Sequence, residues 1–254
     1  RRSNKSRSRV KAELSSILYK VYATASVYAI IVILKPGPKP KGQVKTIWSC
    51  DFAYAIGLIV ADGCLSNDGR HLNFTSKDKD LIELFRKCLN ITSKISPKIS
   101  GNGSEAFYTQ FGDVLFYGFL LSIGLTPAKS KTLSKLLIPD KYFADFLRGY
   151  FDGDGSSYSY FDPVFKKSFR LYISFTSASP DYITWFREEM QRMLGVKGYL
   201  SYNKNNEYVQ LKYAKKEAVL IARAMYYDKE VPCLKRKYLK LKAALSRVKK
   251  AGVA

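Results

Sequence analysis

The chain has 254 residues, with 43 Lys and Arg against 21 Asp and Glu, a formal charge of +22. That imbalance excludes an enzyme built for cationic substrates and favours a polyanionic partner, nucleic acid before an acidic membrane surface. A hydrophobic content of 46% excludes a wholly disordered polymer and leaves room for one large domain or two of about 100–130 residues.

The one histidine, His71, excludes His-based zinc sites and Ser-His-Asp triads. Catalysis would have to come from carboxylates, lysines or a metal held by oxygen. Cys50, Cys64, Cys88 and Cys233 have no CxxC spacing, so a reducing compartment is expected.

Residues 1–47 are expected to be a basic arm and linker. The first 50 residues hold 11 Lys and Arg and one acid, Glu13. The uncharged stretch 21–34 spans 14 residues, whereas a bilayer span needs about 20 apolar ones, so no membrane partner is expected. A hairpin, a core helix and a translated leader all remain open for it. The Pro/Gly/Lys run at 35–45 reads as a basic linker.

Residues 48–138 and 139–254 read as two copies of one unit. Gly57 and Gly149 are 92 positions apart, as are Asp62 and Asp154, and the FTS triplets at 74–76 and 175–177 are 101 apart. Ordered matches at a nearly constant offset indicate duplication, with one longer loop in the second copy. Each copy runs from a helix ending in Asp-Gly through a hairpin, a helix and a second hairpin to a closing helix. The order α-β-β-α-β-β-α, twice, predicts an α+β fold.

Gly57 and Ala61 are four apart, as are Gly149 and Gly153. Small residues four apart make a flat strip on one helix face, so two such helices can meet backbone to backbone. Asp62 and Asp154 follow the strips directly. Two carboxylates at adjacent helix C-termini repel each other and call for cations. Oxygen ligands of this kind suit Mg²⁺, Mn²⁺ or Ca²⁺. Paired acids with a divalent metal on a basic chain imply phosphodiester hydrolysis.

The motifs AIGLIVADG at 55–63 and LRGYFDGDG at 147–155 resemble the two repeats of a single-chain LAGLIDADG homing endonuclease. The resemblance covers about residues 48–246. It implies a saddle-shaped antiparallel sheet over the major groove of double-stranded DNA, a long asymmetric target and a monomer. It also implies cleavage of both strands across the minor groove, leaving short 3′ overhangs. Asp62 and Asp154 match the metal-binding acids, and the carbonyls of Ala61 and Gly153 match further ligands. Mg²⁺ is the expected metal, with Mn²⁺ able to substitute and Ca²⁺ supporting binding without cleavage. Asp152 matches a structural position, occupied by Val60 in the first copy. The family's lysine near the start of each last helix matches Lys237 (with Lys235 beside it) and Lys129 or Lys131, of which Lys129 fits better. A polar position after the second strand, often Gln in relatives, falls at Asp78 and Ser179.

Outward strand positions supply the candidate DNA contacts. In the first copy these are Ser66, Asn67, Arg70, His71, Asn73 and Ser76, then Lys98, Ser100, Tyr108 and Gln110. The second copy offers Ser157, Ser159, Lys166, Arg170, Tyr172 and Ser174, then Tyr199, Ser201, Asn203, Lys204, Gln210 and Lys212. Residues 235–250 carry eight Lys and Arg and no acid, so a helix with a basic face is expected to add non-specific affinity. Both acids are present, which favours a nuclease over a non-cleaving binder on the same fold, such as an intron RNA maturase or a DNA-binding regulator. The first residue is not Cys or Ser, as an intein's would be, which favours a free-standing or intron-encoded nuclease. The expected location is intracellular, with access to DNA.

Overall fold

The computed structural model describes residues 42–99, 103–203 and 207–250. The predicted arm up to residue 41 and the candidate contacts Ser100 and Lys204 lie outside these residues.

Helix α1 (Cys50–Asp62) begins at a Ser49 cap, whose Oγ accepts from the Phe52 N–H at 3.1 Å. Every residue from Phe52 to Val60 is buried. A helix apolar on all sides belongs inside the molecule, and α1 is central. Strands β1 (Gly63–Leu65) and β2 (His71–Ser76) follow and form a hairpin. Helix α2 (Lys79–Leu89) is amphipathic, buries Leu81, Ile82, Phe85 and Leu89, and ends at Asn90 in the left-handed region. Phe74 of β2 stacks on Phe85 of α2 at 4.4 Å. Burying one such ring contributes about 2–3 kcal/mol. Strands β3 (Ile95–Ile99) and β4 (Glu105–Gly112) complete a sheet of order β1-β2-β4-β3.

Helices α3 (Val114–Ser122) and α4 (Lys129–Thr132) close the first copy. Asp113 caps α3, and its Oδ2 also accepts from the Val44 N–H at 2.8 Å, which ties the end of the linker to the first copy.

The second copy repeats this plan. Helix α5 (Phe143–Gly153) leads into β5 (Ser156–Phe161) and β6 (Phe169–Ser177). Helix α6 (Pro180–Leu194) has Ser179 as its cap and Gly195 as its left-handed end. Strands β7 (Tyr199–Tyr202) and β8 (Val209–Ala214) complete a sheet of order β5-β6-β8-β7. Helices α7 (Lys216–Met225) and α8 (Lys235–Lys250) close the copy. The longer loop expected in the second copy is the β5–β6 connection, 162–168 against 66–70.

The fold is therefore α+β with two pseudo-repeats, as the duplication predicts. Each repeat forms its own four-stranded antiparallel sheet. The closing helix differs from expectation, because it is two helices in each repeat. In the first, Gly124 at φ +101° and Pro127 break the run. In the second, Pro232 lies in the non-helical stretch between α7 and α8. A left-handed residue and a proline both end helices.

The repeats meet along α1 and α5. A Cβ built on Gly57 would stand 2.2 Å from the Phe146 carbonyl oxygen, and one on Gly149 would stand 2.0 Å from that of Tyr54. Only glycine permits this approach. The Tyr54 hydroxyl crosses the interface and donates to Asp152 Oδ2 at 2.7 Å. The same oxygen accepts from the Leu234 N–H at 2.7 Å. Burial pushes the Asp152 carboxyl up to about 6. Asp152 thus ties α5 to α1 and to the start of α8. Removing the Tyr54 hydroxyl leaves a buried acceptor short of a partner. Tyr54→Phe is expected to lower stability by about 1–2 kcal/mol, read by urea unfolding. An unchanged midpoint would mean that the bond contributes nothing net.

Arg148, fully buried on α5, donates to Asp145 Oδ1 and to the carbonyls of Met225 and Pro232. This network fixes the connection between α7 and α8 and so aims the start of α8.

Candidate active site

The two acids sit where the central helices end together. Asp62 is the last residue of α1, and Asp154 directly follows Gly153 at the end of α5. The small strips bring these ends into contact. A Cβ on Gly153 would lie 2.2 Å from the Ala61 Cβ and 3.2 Å from Asp62 Oδ2. The Asp62 carboxylate therefore reaches across to the other repeat's helix end. Burial raises its pKa to about 6, with the facing Asp154 adding to the rise and Lys237 and Lys129 opposing it. Asp154 is raised as well, chiefly by burial.

Both lysines favoured by the resemblance arrive at these helix ends. Lys129, at the first position of α4, is buried and donates from Nζ to the Ala61 carbonyl at 3.3 Å. Burial lowers its pKa, with the two acids pulling the other way. Lys131 is exposed. Lys237, in the first turn of α8, donates to the carbonyls of Phe151, Gly153 and Gly155 at 2.8, 2.9 and 2.7 Å. Burial brings it down to about 8. Lys235, its neighbour, is exposed. The carbonyls at the ends of α1 and α5 have lost their helical partners, and the two ammonium groups take their place.

The polar positions after each second strand sit at helix N-termini and bond across to the other repeat. Asp78, at the cap position of α2, holds Arg236 of α8 through both carboxylate oxygens at 2.8 and 2.6 Å. Ser179, the cap of α6, donates from Oγ to the Leu133 carbonyl just after α4. Each repeat's last helical segment therefore touches the other repeat. A cleft of about 260 Å³ opens beside Asp154, lined in part by Ala61, Lys129, Ser130, Thr176 and Tyr208.

Among the described residues no three His, Cys, Asp or Glu side chains cluster as a metal site. A metal here would use two carboxylates, the Ala61 and Gly153 carbonyls and water. That is an all-oxygen, incompletely caged donor set, which suits a hard cation that keeps part of its hydration, as Mg²⁺ does. Both carbonyls already accept from an ammonium group, so each oxygen is open to a positive charge. The donors present fit the implied metal.

The strand register sorts the candidate contacts. In the first sheet His71, Asn73, Tyr108, Gln110 and Lys98 lie on the face away from the core, Asn73 opposite Gln110. Ser66, Asn67 and Arg70 form the hairpin turn beside it. Asp68 holds His71 by its backbone N–H and its ring, and these bonds bring the Asp68 carboxyl down to about 2. Ser76 is a correction. It shares the parity of buried Leu72 and Phe74, and its Oγ accepts from the Asp78 N–H. Thr75 takes the outer place.

In the second sheet Arg170, Tyr172, Ser174, Gln210, Lys212, Tyr199 and Ser201 share the outer face. Ser174 is nevertheless covered, at 2% exposure, and bonded to Ser156 Oγ. Lys166 is exposed in the β5–β6 loop. Asn203 Oδ1 is taken by the Tyr208 N–H of its own hairpin. Ser157 and Ser159 are a second correction. They lie opposite Ile173 and Leu171, on the core face, while Ser156, Tyr158 and Tyr160 point outward. The segment SSYSYF has no clear apolar parity, and pairing with β6 decides which face is which. The signal that would have found this was the buried parity of Leu171 and Ile173 in the partner strand.

The LAGLIDADG-like domain model matches residues 49–123 and 142–226, more than half of the chain. No curated protein matches the sequence. Among solved structures, the homing endonuclease I-WcaI bound to its DNA recognition sequence is similar at TM-score 0.58 and 16% identity, over 82% of this chain and 96% of that one. The I-LtrWI LAGLIDADG homing endonuclease bound to target DNA is similar at 0.53 and 13%, over 79% and 91%. Full-length DUF199/WhiA from Thermatoga maritima is similar at 0.52 and 13%, over 81% and 62%. These likenesses establish a common fold. On the family match across both repeats, the chain belongs to the LAGLIDADG-like family.

Proposed function

We propose that the protein is a site-specific double-strand DNA endonuclease that works as a single chain. One observation carries the reading: two raised carboxylates, each beside a lysine-bound carbonyl, meet where the paired helices end. Such a pair has one evident use on a chain of charge +22, namely to hold divalent cations against phosphates. The DNA-bound relatives share the fold, and WhiA shares it too. The fold alone therefore does not distinguish cutting from binding. Both acids and both lysines at the helix ends favour cutting.

Asp62, Asp154 and the carbonyls of Ala61 and Gly153 would hold Mg²⁺, with Mn²⁺ a substitute. When bound, the metal supplies an activated water and stabilises the leaving 3′ oxygen. The chain's own groups do the rest. The central helices fix the spacing of the carboxylates. Lys129 and Lys237 keep the helix-end carbonyls aimed at the site and hold positive charge beside the scissile phosphates. The outer sheet faces position a long, asymmetric duplex, so both strands are cut across the minor groove with short 3′ overhangs. No helix among the described residues is long and apolar enough to cross a membrane. The protein would act inside the cell, where DNA is accessible.

The test is selection of a bound duplex from a randomised library in Ca²⁺, followed by transfer to Mg²⁺. Double-strand cutting at one position supports the reading. Tight, specific binding with no cutting in Mg²⁺ or Mn²⁺ would overturn it and leave a non-cleaving regulator or maturase.

A further inference from the structure

The two outer sheet faces differ in chemistry. The first is mostly polar, with His71, Asn73, Thr75, Gln110 and Lys98 around a single tyrosine, Tyr108. The second carries a ladder of tyrosines. Tyr158 of β5 lies directly opposite Tyr172 of β6. Their rings stack at 4.7 Å with planes 8° apart, and Tyr160 continues the set 6.1 Å from Tyr172 at 9°. Tyr158 and Tyr160 are 40% and 44% exposed. On β7, Tyr199 is 46% exposed on the same face. Large exposed rings on one sheet face mark a contact surface rather than a core.

The stacking decides what these rings can offer. An aromatic platform for unpaired bases needs free ring faces. Tyr172 lies flat against Tyr158 and, more offset, against Tyr160, so these rings offer edges and part-covered faces rather than open platforms. Together they make an apolar rib along the sheet, with each edge open to the groove. The guanidinium of Arg170, opposite Tyr160, is also committed: Asp162 Oδ2 accepts from its Nε at 3.0 Å and its Nη2 at 2.7 Å. It is not free to fork onto a guanine. The group in the major groove that matches an apolar edge is the C5-methyl of thymine.

We propose that the outer face of the second sheet is a thymine-methyl reader, so that the half-site beneath it is rich in thymine. The first sheet reads its half by hydrogen bonds instead. This inference rests on the DNA-binding part of the proposed function and deepens it.

The experiment uses the full chain and the duplex selected from a randomised library in Ca²⁺. Thymines in each half are replaced by deoxyuridine, which removes only the methyl. In one half each replacement is expected to weaken binding about three- to four-fold, the value of one buried methyl. In the other half the change is expected to be small. The double variant Tyr158→Ala/Tyr172→Ala should bind the thymine and uracil duplexes equally. The double variant Tyr158→Phe/Tyr160→Phe, which keeps the rings, should retain the difference and serves as the folding control. Equal affinity of the wild type for thymine and uracil in both halves overturns the inference. So does a preference for single-stranded oligothymidine over every duplex. Failure to select any duplex would instead reject the underlying DNA-binding reading.

Discussion

Asp62→Asn and Asp154→Asn each reduce double-strand cleavage by about 10³-fold or more, a barrier increase of about 4 kcal/mol, while binding in Ca²⁺ persists. The two acids face each other at one shared helix end, so each is needed and neither can stand in for the other. Single-turnover cutting of the selected duplex measures the effect. Cleavage within ten-fold of wild type in either variant would remove that acid from the mechanism. The same variants should be more stable than the wild type without metal. An acid raised on folding destabilises the folded chain once it ionises. For Asp62, raised from 3.8 to about 6, that penalty is absent below about pH 4 and complete above about pH 6, where it reaches about 3 kcal/mol. Asp62→Asn should therefore melt about 9 °C higher at pH 7.5 in metal-free buffer and no higher at pH 4. A higher melting point at both pH values would mean that the gain has some other cause.

Gly149→Ala should be the most damaging small substitution in the chain. Its Cβ would lie 2.0 Å from the Tyr54 carbonyl oxygen, which is backbone and cannot turn aside. The helices must separate, and every contact along them loosens. The expected loss is about 3 kcal/mol or more, a fall of about 9 °C in thermal unfolding. A fall under 2 °C would show that the helix pair adjusts freely. Gly153 differs in kind, because its obstruction is the Ala61 side chain at 2.2 Å. Gly153→Ala should be rescued by Ala61→Gly, since the methyl is then merely moved across the interface. A double variant as unstable as Gly153→Ala alone would sink this account.

The duplicated spacing made the central features legible. Small residues four apart followed by Asp define both a helix contact and a site, because the first forces the second together. The lysines were harder. Lys129 and Lys131 were both open in the sequence, with Lys129 the better fit, and the short helix that starts after the left-handed Ala128 turns Lys129 inward and Lys131 outward. The face of β5 was not legible at all. Serine and tyrosine alternate there, and the larger residue looks like the inner one. The partner strand reverses that, because β6 has a clear apolar parity at Leu171, Ile173 and Phe175. Cross-repeat ties such as Arg236 to Asp78 join residues 158 positions apart. No local pattern can announce a contact of that length.

That separation has a consequence for synthesis. Asp62, Asp78 and Asp154 are all made well before α8, which supplies Arg236 and Lys237. While the chain is still on the ribosome its carboxylates stand without their cationic partners from that helix. The full set of contacts at the paired helix ends forms only after translation has passed Lys237. A product ended before residue 235 would lack both of the cations that α8 brings to these carboxylates.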